Sequence, residues 1–426
     1  MPPRPRNTAR GFLFAILSVM FSLFNTKKQS SEYIYLDHAS STPVDATILE
    51  TVLVIQKNNF ANPGSIHRLG INSKKLIEEA RKKIADALQA RAEEIFFTSS
   101  GTESNNLALC GILQSFSSLS FKPQVLTTSI EHVSVLEPLR EMKNKGIIDL
   151  VELPVGDDGI ITMKTIREAL TPHTVLVSVI HANNEVGTVQ PIREIGRMLE
   201  KHREAQCTEY PYFHSDACQS VNYCDIRPEP FRIDLCTLNS SKIYAPRGAG
   251  ILYVNRRVKI SPQIVGGDQE YGIRAGTENT AAIVACGTAM EIVLGMREAE
   301  NVRLHELQTY ALNELTKISN MKIWGSLLKV GRLPNNINVS VHGIFSEEFV
   351  IGLDMKQIAI SSKSACGMNS DEGSYVIRAL GGTEQESKES IRISMGRSTT
   401  KENIDTLILE MTKIVERNEK AKKYLK

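Results

Sequence analysis

The chain has 426 residues, 42% hydrophobic and 23% charged, with a formal net charge of +2 and no visible internal repeat; this excludes a disordered or repeat-built protein and favours two packed units over one core. Arg4, Arg6, Arg10, Lys27 and Lys28 all precede the first acidic residue, Glu32, so the remainder is slightly acidic and shows no nucleic-acid footprint. The seven cysteines are an odd number without a C-x-x-C pair, which speaks against a zinc site or a disulfide framework and for a reducing compartment.

Residues 1–31 read as a separate leader. "GFLFAILSVMFSLF" is an apolar run of 14 behind three arginines, too short to span a bilayer comfortably. The Arg-bearing, acid-free, Ser-containing leader suits a mitochondrial-type presequence, while its apolar block suits a secretory signal or a membrane anchor. Next, "INSKKLIEEARKKIADALQA" aligns Leu76, Ile77, Ala80, Ile84, Ala87 and Leu88 on one helical stripe. Strand-like runs follow at 94–98, 124–129, 174–180, 210–215, 233–238 and 250–254, alternating with helical patterns. That alternation predicts an α/β core with a mainly parallel sheet flanked by helices, over about 46–297. Beyond 297 the texture turns to long charged helices and isolated strands such as "NNINVSV", predicting a smaller α+β unit formed by 33–45 and 298–426.

Ligands of open α/β sheets lie beyond the carboxyl ends of the strands, so the polar residues there are the candidates. Gly101 and Thr102 follow the first run and suit either a phosphate cradle at a helix N-terminus or a plain N-cap. His132 follows the second run, and is either a satisfied core residue or a catalyst; Asn183 and Asn184 follow the third. Asp216 and Gln219 follow the fourth, and a carboxylate at a buried strand end is a structural cap or the partner of a bound cation. Lys242 follows the fifth, in "NSSKIYAPRGAG". Pyridoxal phosphate uses a lysine for its aldehyde, an acid for its pyridinium nitrogen and an anion site for its phosphate, and Lys242, Asp216 and the Gly101/Thr102 turn supply all three. Late in the chain, Cys366 sits in the small, polar stretch "SSKSACGMNS", where a thiol is either a nucleophile or inert. Arg392 in "SIRISMGR" suits bidentate carboxylate binding.

From about Tyr33 to Arg417 the chain resembles the cysteine desulfurases of the class V aminotransferase-like group, through the ordered blocks "YLDHASSTP", "NPGSIHRLG", "TSSGTESNN", "EHVSVL", "HANNEVGTVQPI", "HSDACQS", "KIYAPRGAG", "GGDQEYGIRAGTEN", "SSKSACG" and "IRISMGR". The spacing between Cys366 and "SYVIRALG" looks like the long catalytic loop of the housekeeping subgroup. The resemblance implies a fold type I homodimer with pyridoxal 5'-phosphate. Lys242 matches the lysine that carries the cofactor, Asp216 its pyridinium partner, Gln219 a ligand of its phenolic oxygen, and His132 a histidine stacked on its ring that takes part in moving protons. Gly101 and Thr102 match the phosphate turn, and Thr277 a phosphate ligand reaching from the other subunit. Asn184 and Arg392 match residues that hold the substrate, and Cys366 the sulfur acceptor. The implied reaction takes sulfur from L-cysteine, leaving alanine and a Cys366 persulfide, for delivery to an iron-sulfur scaffold or another acceptor protein, with a small accessory subunit as a further partner. Selenocysteine lyase activity and a weakly active interaction scaffold are the alternatives.

Two departures stand out. Where the family has Ser-x-His-Lys, this chain has Asn239-Ser240-Ser241-Lys242. Asn239 and Ser241 then take the places of the phosphate-gripping serine and histidine, and a weaker hold on the cofactor is expected. After "IVERNEKAKKYLK" the extended segment that many relatives use to dock the scaffold is not seen, so a different docking surface or weaker docking is expected.

Overall fold

The computed structural model describes residues 33–116, 120–327, 331–362 and 373–424. The leader and Cys366 lie outside these residues. Its largest sheet contains β2 (Ile95–Thr98), β3 (Gln124–Thr128), β4 (Asp149–Leu153), β5 (Thr174–Ser178), β6 (Tyr212–Asp216), β7 (Leu235–Asn239) and β8 (Gly250–Val254), after a short β1 (Ile34–Tyr35) that belongs elsewhere. The spatial order is β2-β8-β7-β6-β5-β3-β4, with only β8 running against its neighbours. Buried side chains run without alternation through β2, β5 and β7, β-branched and aromatic ones above all in β2 and β5, as expected of strands covered on both faces. The run at 210–215 starts pairing only at Tyr212, because Pro211 has no N–H to give the ladder. The edge strand β4 was not among the predicted runs. Asp149 is exposed and Glu152 half-buried, so its pattern is polar where one neighbour is missing.

The predicted amphipathic helix is α1 (Arg68–Leu88), which buries Ile77, Ala80, Ile84 and Leu88 and half-buries Leu76 and Ala87. It packs along α2 (Thr280–Leu315). A Cβ on Gly287 of α2 would lie 3.0 Å from the Ala80 backbone, so glycine sets how closely the helices approach. Among the described residues α2 alone is long and apolar enough to cross a membrane by length and composition, yet over half of its apolar window is buried in the protein.

A second sheet, β12-β10-β9, is antiparallel and joins β9 (Met321–Trp324), β10 (Asn336–Val341) and β12 (Ser390–Ser394). Beside it, β1 pairs in parallel with β11 (Ile358–Ala359). Residue 297 falls inside α2, which is continuous: Ala282 to Val293 sit in the core of the large sheet, whereas Leu304, Ala311 and Leu315 sit in the core around β10 and β12. A texture change in sequence therefore marks a change of packing partner along one helix.

Candidate active site

The carboxyl ends of β2, β3, β5, β6 and β7 converge on a cavity of about 140 Å³. Gly101, Thr102, His132, Asn184, Asp216, Gln219, Asn239, Lys242 and Arg392 all line it. Ser241 does not: its N–H meets Asn239 Oδ1 and its carbonyl accepts from Thr42 N. Thr277 is exposed, in a separate depression with Ile55, Phe60 and Pro63.

At one end of the cavity, Gly101 opens the helix Gly101–Ser115. Ser100 supplies the capping oxygen, accepting from Glu103 N at 3.2 Å. Remaining N–H groups of the first turn, with the helix dipole behind them, favour an anion. A Cβ on Gly101 would stand 3.0 Å from Cys218 Sγ and 3.3 Å from Asn239 Cβ, so a side chain here would crowd both neighbours. Cys218 is buried against the cavity wall, and burial pushes its thiol well above the usual range, which leaves it protonated.

At the other end, Asp216 closes β6 and is 4% exposed. Its Oδ2 accepts from Asn105 Nδ2 at 2.8 Å and its Oδ1 from Cys218 N at 3.0 Å. Both donors are neutral, so the buried charge suits an incoming cationic N–H. Asn105 Nδ2 also donates to Ser134 Oγ at 2.8 Å, and Ser134 Oγ lies 2.7 Å from His132 Nδ1. Ser134 N donates to the same nitrogen at 3.2 Å. With Nδ1 serving as acceptor, the neutral ring carries its proton on Nε2. Burial lowers the His132 pKa, Asp216 opposes that, and Lys242 and Arg392 reinforce it, which keeps the imidazole neutral. The adjacent Glu131 is fully buried, and burial pushes its carboxyl up to about 8 despite hydrogen bonds from Thr128 Oγ1 and Ile180 N. At neutral pH it adds little charge beside the histidine.

Lys242 ends a short 3₁₀ turn after β7 and points its amine at the carbonyls of Ala39 (2.8 Å) and Ser40 (2.5 Å). Gln219 Nε2 donates to the same Ala39 carbonyl at 2.8 Å. Arg392, in mid-β12, is 1% exposed. It reaches Asn184 O with Nη1 at 3.0 Å, and Asp37 Oδ1 (2.8 Å) and Ser40 Oγ (2.6 Å) with Nη2. Asn183, named with Asn184 from sequence, instead caps its own loop: its Oδ1 accepts from Glu185 N and Val186 N.

These residues fit pyridoxal phosphate on structural grounds. An anion cradle that a Cβ would fill, a buried carboxylate with neutral partners only, and a lysine amine line one cavity. Asn105 Oδ1 and Asn184 Oδ1, on the same lining, are buried without a hydrogen-bond partner. Asn105, Ser134, Asp37 and Ser40 were not singled out from sequence. For Asn105 a signal was present, since it stands one helical turn after Gly101 and therefore on the same face.

The chain matches the Aminotransferase class-V family over residues 34–407. It is 37% identical to Cysteine desulfurase IscS of Dictyoglomus turgidum over 385 residues, covering 90% of this chain and 95% of that protein. It is 38% identical to the mitochondrial cysteine desulfurase of Eremothecium gossypii over 386 residues, 90% of this chain and 76% of that one. Among solved structures, a NifS-like protein superposes with a TM-score of 0.83 at 30% identity, covering 90% of this chain and 99% of the other. A NifS-like protein from Rickettsia africae gives 0.80 at 30% identity, covering 90% and 100%. With this match across both sheets and the helix that joins them, the chain belongs to the pyridoxal-phosphate-dependent class-V aminotransferase family, among the cysteine desulfurases.

Proposed function

We propose that this cysteine desulfurase takes L-cysteine into the cavity between Lys242 and Arg392, and passes its sulfur to Cys366. The observation that carries the reading is the convergence of Lys242, Asp216, His132 and Arg392, from four separate chain segments, on one cavity of about 140 Å³. Pyridoxal phosphate, when bound, supplies the electron sink that lets the α-proton leave. Asp216 would meet the cofactor's ring N–H, and the Gly101/Thr102 turn with Asn239 would hold its phosphate. Arg392 and Asn184 hold the substrate carboxylate, which fixes the Cα–H bond near the Lys242 amine. Lys242 Nζ then serves as the base and returns a proton later. The Cys366 thiolate attacks the substrate sulfur: the S–S bond forms, the C–S bond breaks, and the electron pair left on carbon is protonated to give alanine. His132, neutral and with its proton on Nε2, is suited to exchanging protons with groups in the cavity. L-cysteine with a reductant should give alanine and sulfide in equal amounts; sulfide without alanine would reject the reading.

The proposed acceptors are an iron-sulfur scaffold or another sulfur-carrier protein, with a small accessory subunit as a further partner. A mitochondrial relative and the Arg-bearing leader support a mitochondrion or a related organelle as the location. The working form is a homodimer in which Thr277 of one protomer completes the phosphate site of the other. A single chain leaves Ile66 95% and Phe60 74% exposed, and Phe60 lies beside Thr277. Sedimentation of the holoenzyme should give twice the chain mass, and a monomer with full activity would refute this arrangement.

A further inference from the structure

Arg392 has five N–H groups, and the structure accounts for three of them. One Nη1 hydrogen goes to Asn184 O, and the two on Nη2 go to Asp37 Oδ1 and Ser40 Oγ. Nε is buried with no partner. A guanidinium grips a carboxylate with two parallel bonds along one of two edges, Nε with Nη2 or Nη1 with Nη2. Each edge includes Nη2, the nitrogen that Asp37 and Ser40 occupy.

Asp37 is itself held in place. Ser40 Oγ lies 2.9 Å from its Oδ1, and Tyr35 Oη donates to its carbonyl at 3.1 Å. The segment is fixed to β12 by His38 N on Ser394 O and by Ala39 N on Ser394 Oγ. Arg392 is nearly enclosed, whereas the Asp37 side chain is 20% exposed. The carboxylate that already pairs with the arginine is therefore the one with room to give way.

We propose that Asp37 gates Arg392: it is a specificity-determining residue that competes with the incoming substrate carboxylate for Nη2, so that only a ligand able to replace it engages both bonds. This rests on Arg392 as the carboxylate site. Asp37 keeps the guanidinium oriented and its charge compensated before substrate arrives, and two like charges drawn to one nitrogen lower the affinity for the second. Ser40 belongs to the same clip, since its hydroxyl meets Arg392 while its carbonyl holds the Lys242 amine.

The test uses the holoenzyme and two unreactive amines, L-alanine and ethylamine, which differ by the carboxylate, with binding read from the cofactor's visible absorption. Asp37→Asn should bind L-alanine about tenfold more tightly and ethylamine as the unsubstituted enzyme does. Unchanged or weaker L-alanine binding, or equal changes for both amines, overturns the gate. Arg392→Lys separates the two levels. If it leaves the preference for L-alanine over ethylamine intact, the carboxylate reading of Arg392 fails and the gate with it. If it abolishes that preference while Asp37→Asn does not tighten L-alanine, the gate alone fails. Should Asp37→Asn not retain cofactor, Ser40→Ala frees one Nη2 hydrogen while keeping Asp37. It should tighten L-alanine by about threefold, selectively, and its failure to do so overturns the proposal.

Discussion

Replacing Lys242 by Ala is expected to lower L-cysteine turnover by at least about 10³-fold, since in the proposed function it removes both the cofactor's covalent anchor and the base. The protein should remain folded. The side chain donates to the carbonyls of Ala39 and Ser40 at the cavity wall, and the backbone of its turn is held independently by Asn222 Nδ2 on Lys242 O at 2.6 Å. Asp216 and the Gly101 turn are untouched, so the variant should still take up cofactor, with a changed visible absorption. Assaying alanine formation beside that spectrum checks both parts. Turnover within tenfold of the parent enzyme would remove Lys242 from the chemistry.

The largest effect on stability is expected from Glu270→Gln, far from any reacting atom. Arg81 and Glu270 form a bidentate pair, with both N···O distances 2.8 Å and side chains 3% and 2% exposed. Glu270 also accepts from Phe97 N at 2.7 Å, and Arg81 donates to Ile95 O at 2.6 Å, so the pair ties α1 to β2. Burial works against the Arg81 charge, and Glu270, with Glu78 beside it, more than restores it. Removing Glu270 leaves the buried guanidinium with only Glu78, 3.1 Å from Nε and half-exposed, at a cost of about 3 kcal/mol, the low end for a broken buried pair. Denaturant unfolding would show it. The joint replacement Arg81→Met with Glu270→Leu should lose less than either single change, because the one charge it leaves behind, Glu78, is half-exposed and met by water. A loss below about 1 kcal/mol for Glu270→Gln, the range of exposed pairs, would contradict this account.

The strands and the amphipathic helix were legible because their apolar patterns are strong and local. β4 was not, because at the sheet edge Asp149 and Glu152 interrupt the pattern. Residues at the strand ends pointed to the cavity, since strand direction alone places Asp216, His132 and Lys242 near one another. What remained hidden acts across long separations. Asp37 meets Arg392 over 355 positions, and Lys242 meets Ala39 over 203. Neither contact leaves a local pattern. The change from Ser-x-His-Lys to Asn-Ser-Ser-Lys was legible as a change, but only the structure divides its parts: Asn239 faces the cavity beside Gly101, while Ser241 turns its backbone to Thr42. Convergence of Lys242, Asp216, His132 and Arg392 on one cavity counts against reading the chain as a weakly active scaffold.

In the proposed function, sulfur from L-cysteine comes to rest on Cys366. The most direct measurement is the peptide mass of the holoenzyme after a short exposure to L-cysteine without reductant, with alanine counted in the same sample. One added sulfur on the Cys366 peptide, matched by one alanine per active site and lost in Cys366→Ser, is the predicted result. Alanine formed with no sulfur on Cys366, or sulfur carried by another cysteine while Cys366→Ser remains active, would contradict it.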